Sequence, residues 1–208
     1  MNIPDARRPL ASRSTRWAGV LSTAAVRAGL TADGISIFSL LFAGAGAAAL
    51  LLIPRPWNLL ACAAGIQLRL LCNLLDGMVA IEGGRKSTVG VLYNEVPDRV
   101  ADSLFLVALG HAIGIPWLGW LAALAAAVTA YIRVLGGTFG LAQDFRGPLA
   151  KQHRMAVMTL GCLLGIVEWF WDGGQRILVA AAWIIALGAV VTCGTRIHAI
   201  ARQLRARP

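Results

Sequence analysis

Residues 57–81 read WNLLACAAGIQLRLLCNLLDGMVAI, an apolar stretch interrupted only by Asn58, Gln67, Arg69, Asn73 and Asp76. About 20 residues of α-helix cross the hydrocarbon of a bilayer, so this run is long enough to span one. An ionisable side chain is costly in hydrocarbon. Arg69 and Asp76 are therefore expected to face a bundle interior or a wet cavity rather than lipid. Steps of three and four residues place Asn73, Asp76, Gly77 and Ala80 on one helical face.

The rest of the chain has the same character. Of 208 residues, 58% are hydrophobic and 14% charged, and the mean hydropathy is +0.69. A water-soluble domain of this size cannot bury so much apolar surface, which excludes an ordinary soluble protein. Further apolar runs occupy 34–53, 93–113, 117–141, 155–171 and 177–195, the first of them closed by Pro54 and Pro56. The expectation is an all-α integral membrane protein with six transmembrane helices, preceded by an amphipathic interfacial helix. That helix is expected within 10–30, where Arg13, Arg16 and Arg27 interrupt an apolar pattern. Thr31 and Asp33 stand where N-caps of the first span are expected. The chain thus divides into an N-terminal segment, 1–33, a six-helix membrane domain, 34–196, and a basic tail, 197–208.

Nineteen Lys and Arg against ten Asp and Glu leave a net charge of +9. Their distribution argues for topology rather than nucleic-acid binding. The N-terminal arginines, Arg85, Lys86, Arg146, Lys151, Arg154 and the basic tail fall on one side of the expected membrane, with Arg55 and Arg176 on the other. The positive-inside rule then places both termini in the cytoplasm, with a bacterial inner membrane as the expected setting. Trp57, Trp117, Trp120, Trp169 and Trp171 flank the opposite ends of the spans as an aromatic belt. Cys62, Cys72, Cys162 and Cys193 share no metal or redox spacing and are expected to be packing residues.

Polar residues cluster at one end of two adjacent spans. Asn73 and Asp76 on the second span, and Asn94 and Asp98 on the third, present oxygen donors across the short loop that joins them. Such a set suits a hard divalent cation, Mg²⁺ or Mn²⁺, carrying an anionic substrate. Gly77, Ala80 and Gly90 would let that substrate approach the backbone closely. A structural alternative is interhelical polar glue, with Asn73 bonded to Asn94 and Asp98 paired to Arg69. Arg133, within the fourth span, needs a partner or an anionic ligand at that depth.

The string from Asn73 through Asp76-Gly77, Ala80 and Ile81, followed by eight residues to Gly90, Asn94 and Asp98, resembles the CDP-alcohol phosphotransferase signature D-x2-D-G-x2-A-R-x8-G-x3-D-x3-D. The spacing agrees at every step. Asn73 and Asn94 replace two of the four acids, and Ile81 replaces the arginine. The stretch 29–35, GLTADGI, is similar to the family's lead-in to the first span.

The resemblance implies an enzyme that transfers a phosphatidyl group from CDP-diacylglycerol to a small alcohol or alcohol phosphate, releasing CMP, in phospholipid synthesis. It implies a metal site of Asn73, Asp76, Asn94 and Asp98, with Asp98 as the catalytic base. Thr31, Asp33, Gly77, Ala80, Arg85 and Gly90 would bind the donor. Arg133, Lys151 and Arg154 would bind the acceptor, and the partners would be membrane lipids and a second copy of the chain in a homodimer. The substitutions keep an alternative open, a weak or inactive homologue that binds a CDP-lipid or a partner enzyme. A small transporter is a further alternative, because intramembrane acids also mark ion paths.

Overall fold

The computed structural model describes residues 15–82 and 90–207. The described residues form seven α-helices: α1 (Arg16–Arg27), α2 (Ala32–Leu52), α3 (Trp57–Glu82), α4 (Gly90–Ala112), α5 (Pro116–Thr138), α6 (Lys151–Asp172) and α7 (Arg176–Arg205). Their ends follow local chemistry. The Thr31 hydroxyl accepts from the Gly34 amide at 3.1 Å and caps α2, and the helix stops before Pro54, whose ring disfavours helical backbone in the residue ahead of it. Pro116 opens α5, where a missing N–H costs nothing. Gly173 closes α6 with a φ of +70°, which glycine adopts without a Cβ penalty.

Six helices close a ring in which α2 packs on α3, α3 on α6, α6 on α7, α7 on α5, α5 on α4 and α4 on α2. The centre is filled by Leu59, Ile66, Phe105, Leu109, Leu118, Met155, Met158, Leu178 and Ile185. Outside it α1 lies on α3, with Ala18 against Leu74 and Met78. Large apolar side chains such as Leu41, Leu52, Leu124, Val167 and Phe170 stay exposed on the outer surface, as they would facing acyl chains. Trp57, Trp117, Trp120 and Trp171 are exposed as well.

Five of these helices are long and apolar enough to cross a membrane: α2, α3, α5, α6 and α7. Helix α4 has 23 residues, enough for about 35 Å of helix, but it carries Glu95, Asp98, Arg99 and Asp102 between its start and its middle turn. The sixth expected span thus has the length but not the composition. Several boundaries differ from expectation. Helix α1 is shorter than 10–30, and residues 1–14 lie outside the described residues. The fourth span ends at Thr138 rather than 141, and α6 begins at Lys151, four residues ahead of the expected 155. Helix α7 runs on through the expected tail to Arg205, since Ala, Arg, Gln and Leu favour helix and Arg202 and Arg205 complement the negative end of its dipole.

Lipid provides little hydrophobic drive between helices, so close contact rests on small residues. Gly46 meets Gly65 between α2 and α3, and Gly110 meets Gly119 between α4 and α5. A Cβ on Gly119 would stand 2.6 Å from the Leu106 carbonyl oxygen and 2.9 Å from the Gly110 Cα. Both are backbone atoms that cannot turn aside. Gly119→Ala is therefore expected to cost about 1–3 kcal/mol through overpacking. Thermal unfolding of the purified protein checks it, and an unchanged midpoint would mean that α4 and α5 can separate freely.

Candidate active site

Helix α3 carries Arg69, Asn73 and Asp76, and α4 carries Asp98 and Asp102 one turn apart. Helix α6 begins with Lys151 and reaches Arg154 in its first turn. These side chains converge at one end of the ring. The Asp98 carboxylate is their meeting point. Its Oδ1 accepts from Arg69 Nη2 at 2.9 Å and from Asn73 Nδ2 at 2.9 Å, and its Oδ2 is ion-paired with the Lys151 ammonium. Arg99 Nη2 stands 3.8 Å from the same Oδ2.

Asp102 lies one turn deeper. Its Oδ1 takes Arg69 Nη2 at 3.0 Å and its Oδ2 takes Arg154 Nη2 at 3.0 Å. Arg154 also donates to the Leu149 carbonyl at 2.8 Å. Arg69 and Arg154 have no exposed surface at all and Asp102 only 1%. A charged triad so deep holds together only because each carboxylate oxygen meets a guanidinium. It joins α3, α4 and α6 beneath Asp98.

Asp76 is buried on the α2 side, where Ser36 donates to its Oδ2 at 2.6 Å, and it lies within electrostatic reach of Asp98 and Lys151. The structure thus brings three of the four expected metal ligands, Asn73, Asp76 and Asp98, to one place. Asn94 is exposed at the start of α4, one turn before Asp98. Of the expected donor-binding residues, Gly77 and Ala80 follow Asp76 on α3, Gly90 begins α4, and Thr31 and Asp33 form the first turn of α2. Arg85 lies outside the described residues. Thr31 has a capping role that its position alone accounts for.

Each expected acceptor-binding cation has a protein partner. Lys151 is on Asp98 and Arg154 on Asp102. Arg133 Nη2 sits 2.6 Å from Glu95 Oε2, its Nη1 donates to Gln143 Oε1 at 2.7 Å, and its guanidinium lies 5.2 Å from the Phe145 ring centroid. The sequence reading missed Arg196, the last residue of the expected membrane domain. Arg196 donates to the carbonyls of Thr129, at 2.6 Å, and Arg146, at 2.9 Å, and stands within electrostatic reach of Arg133 and Arg154. Three guanidiniums therefore converge beside the 139–150 loop. The signal available in sequence was its place four residues after Thr192, whose hydroxyl faces the same loop through the Leu149 amide. In that loop burial would raise the Asp144 carboxyl, but hydrogen bonds from the Arg146 side chain and amide outweigh it and hold the group below the ordinary aspartate range.

The carboxylates of Asp76 and Asp98 offer hard oxygens, which suit Mg²⁺ or Mn²⁺ rather than a softer ion. Among the described residues, no three His, Cys, Asp or Glu side chains gather as a metal cluster. Asp76 and Asp98 are the carboxylates at hand, and Asn73 turns its N–H₂ toward Asp98. Such a set fits one divalent cation completed by substrate phosphates, and not a pair of them.

No protein-family model matches the sequence. The chain is similar to the phosphatidylinositol phosphate synthase of Mycobacterium marinum, 27% identical over 203 residues that cover 93% of this chain and 84% of the relative. Its fold is similar to crystal structures of the Mycobacterium tuberculosis phosphatidylinositol phosphate synthase. With CDP-DAG bound, that protein superposes with a TM-score of 0.74 at 23% identity, covering 89% of this chain and 94% of the other. In complex with manganese and citrate it gives a TM-score of 0.74 at 22% identity, covering 88% of each chain. The spaced signature, extending without insertion from Asn73 to Asp98, and relatives that match along nearly the whole chain agree: this chain is similar to CDP-alcohol phosphatidyltransferases in sequence and in fold.

Proposed function

We propose that this chain is a membrane transferase that moves a phosphatidyl group from CDP-diacylglycerol to the hydroxyl of a phosphorylated alcohol of the inositol phosphate type. The observation that carries the reading is the meeting of Asp76 and Asp98, from neighbouring helices of the family signature, with a bank of cations from α5, α6 and α7. The relatives' shared name and the CDP-DAG held by the solved neighbour support the choice of donor and acceptor. The convergence of Arg133, Arg154 and Arg196 supports an acceptor that bears a phosphate, since guanidiniums match phosphate oxygens in charge and geometry.

In this reading the acceptor oxygen attacks the phosphorus that bears diacylglycerol. The new P–O bond forms there, the P–O bond to the CMP phosphate breaks, and CMP leaves. Asp98, the last acid of the signature, takes the hydroxyl proton. Asp76 and Asp98, with the amide oxygens of Asn73 and Asn94, would hold the divalent cation, which neutralises charge on the diphosphate. Gly77, Ala80 and Gly90 leave room for the cytidine to lie against the helices, with Thr31, Asp33 and Arg85 on the donor side. Arg133 and Arg196 hold the acceptor phosphate, and Arg154 braces them from below. The basic residues at this end support a cytoplasmic site and cytoplasmic termini, in a bacterial inner membrane, and the abundant small residues fit a homodimer embedded among lipids.

A release assay with radiolabelled CDP-diacylglycerol and Mn²⁺ tests this. CMP release is expected, greatest with inositol phosphate, and Asp76→Ala is expected to abolish it. A second reading, a CDP-lipid binder without turnover, is favoured by Asn73, Asn94 and Ile81. Binding of the lipid without CMP release would establish it, and no recognition of cytidine at all would reject both.

A further inference from the structure

The family signature carries four acids and this chain keeps two of them, Asp76 and Asp98. Exchanging two carboxylates for amides removes two negative charges from a site built to gather cations. At the same point the chain supplies cations of its own. The Lys151 ammonium is paired with Asp98 Oδ2, and Arg69 Nη2 lies 2.9 Å from Oδ1. The Asn73 amide also faces Oδ1 at 2.9 Å, and against a carboxylate it can only donate, so it is a further N–H partner of Asp98.

We propose that Lys151 is a built-in cation of the donor site, taking the place of one divalent metal ion, so that the chain holds the diphosphate of a nucleotide-activated lipid with at most one bound metal. This rests on the donor reading given above. A divalent cation needs several anionic or oxygen ligands to repay its dehydration, and a second one would find too few here. An ammonium needs no such set. Lysine is a compact charge with three rotatable donors on a flexible stem, and covalent attachment fixes its concentration at the site.

Lys151 is placed for this. It is the first residue of α6, beside the non-helical 139–150 loop, and its side chain is 24% exposed whereas Asp98's is 8% exposed. Arg69 and Arg154, by contrast, are sealed in the core and committed to Asp102. Among these three cations, Lys151 is the one free to swing toward a ligand. When the donor arrives, its ammonium exchanges the Asp98 oxygen for a phosphate oxygen. Oδ2 of Asp98 is then open to the acceptor hydroxyl.

The test uses the full chain in lipid nanodiscs. Bound Mn²⁺ is counted by electron paramagnetic resonance with CDP-diacylglycerol present, and affinity for that lipid is measured in excess EDTA and in saturating Mn²⁺. The wild type is expected to bind no more than one Mn²⁺ per chain and to retain the lipid in EDTA within about tenfold of its affinity in Mn²⁺. Lys151→Gln is expected to weaken binding in EDTA by about ten- to a hundredfold, the loss of one charge-assisted contact. Lys151→Arg is expected to keep most of it. The variant N73D/N94D/K151Q is expected to gain a further Mn²⁺ and to bind the lipid only when metal is present. A second Mn²⁺ on the wild type, or equal EDTA affinities for wild type and Lys151→Gln, would overturn the proposal. Because the wild-type count decides by itself, a variant that fails to fold does not leave the question open. Absence of lipid binding by the wild type in both EDTA and Mn²⁺ would overturn the donor reading, and this proposal with it.

Discussion

Asp98→Asn is expected to lower kcat by about 10²–10⁴, the usual effect of removing a general base, while affinity for CDP-diacylglycerol changes far less. Asparagine has the shape of aspartate and keeps one oxygen, which can still accept from Arg69 and Asn73. It cannot take a proton from the acceptor hydroxyl. The other contact is lost, because an amide N–H₂ facing the Lys151 ammonium offers it nothing. In the proposed site that cation moves to the donor diphosphate, so donor binding survives the loss. Steady-state kinetics with separately measured lipid binding distinguish the outcomes. A fall in donor affinity at nearly constant kcat would assign Asp98 to holding the nucleotide. Unchanged kinetics would return Asp98 to a structural role as interhelical glue.

Asp102→Ala is expected to have the largest effect on stability. Arg69 and Arg154 are fully buried and each spends a guanidinium nitrogen on Asp102, at 3.0 Å in both cases. Removing the acid leaves two buried positive charges with one carboxylate, Asp98, between them and Lys151. Breaking a buried pair in this way costs about 3–5 kcal/mol, which for a chain of this length corresponds to a fall in Tm of roughly 10 °C. The cost arises mainly from the stranded guanidiniums. Replacing Arg69, Asp102 and Arg154 together by apolar residues of similar volume is accordingly expected to recover much of the loss. Thermal unfolding in detergent measures both variants, and a Tm within 2–3 °C of wild type for Asp102→Ala, on the same scale, would mean that water reaches the triad.

Much of this protein follows from its sequence because the bilayer leaves so few choices. Hydrocarbon requires backbone hydrogen bonds to close within each segment, so long apolar runs become helices. It penalises charge, so Arg69, Asp76, Asp98 and Asp102 had to turn inward. The helical period then put Asn73 beside Asp76 and Asn94 beside Asp98, and the signature spacing was legible before any coordinates. The partners were not legible. Lys151 finds Asp98 across 53 positions of sequence and Arg154 finds Asp102 across 52, while Arg196 reaches Thr129 across 67. Read in line, those cations are indistinguishable from the topology charges at helix ends. The helix neighbours decide where they land, and those neighbours depend on contacts as close as Gly46 on Gly65 and Gly110 on Gly119. The membrane, the helices and the acids were determined by local periodicity and the cost of charge in lipid. Which cation neutralises which acid was decided only by tertiary packing, because ion pairs form across space and depend on how the helices cross.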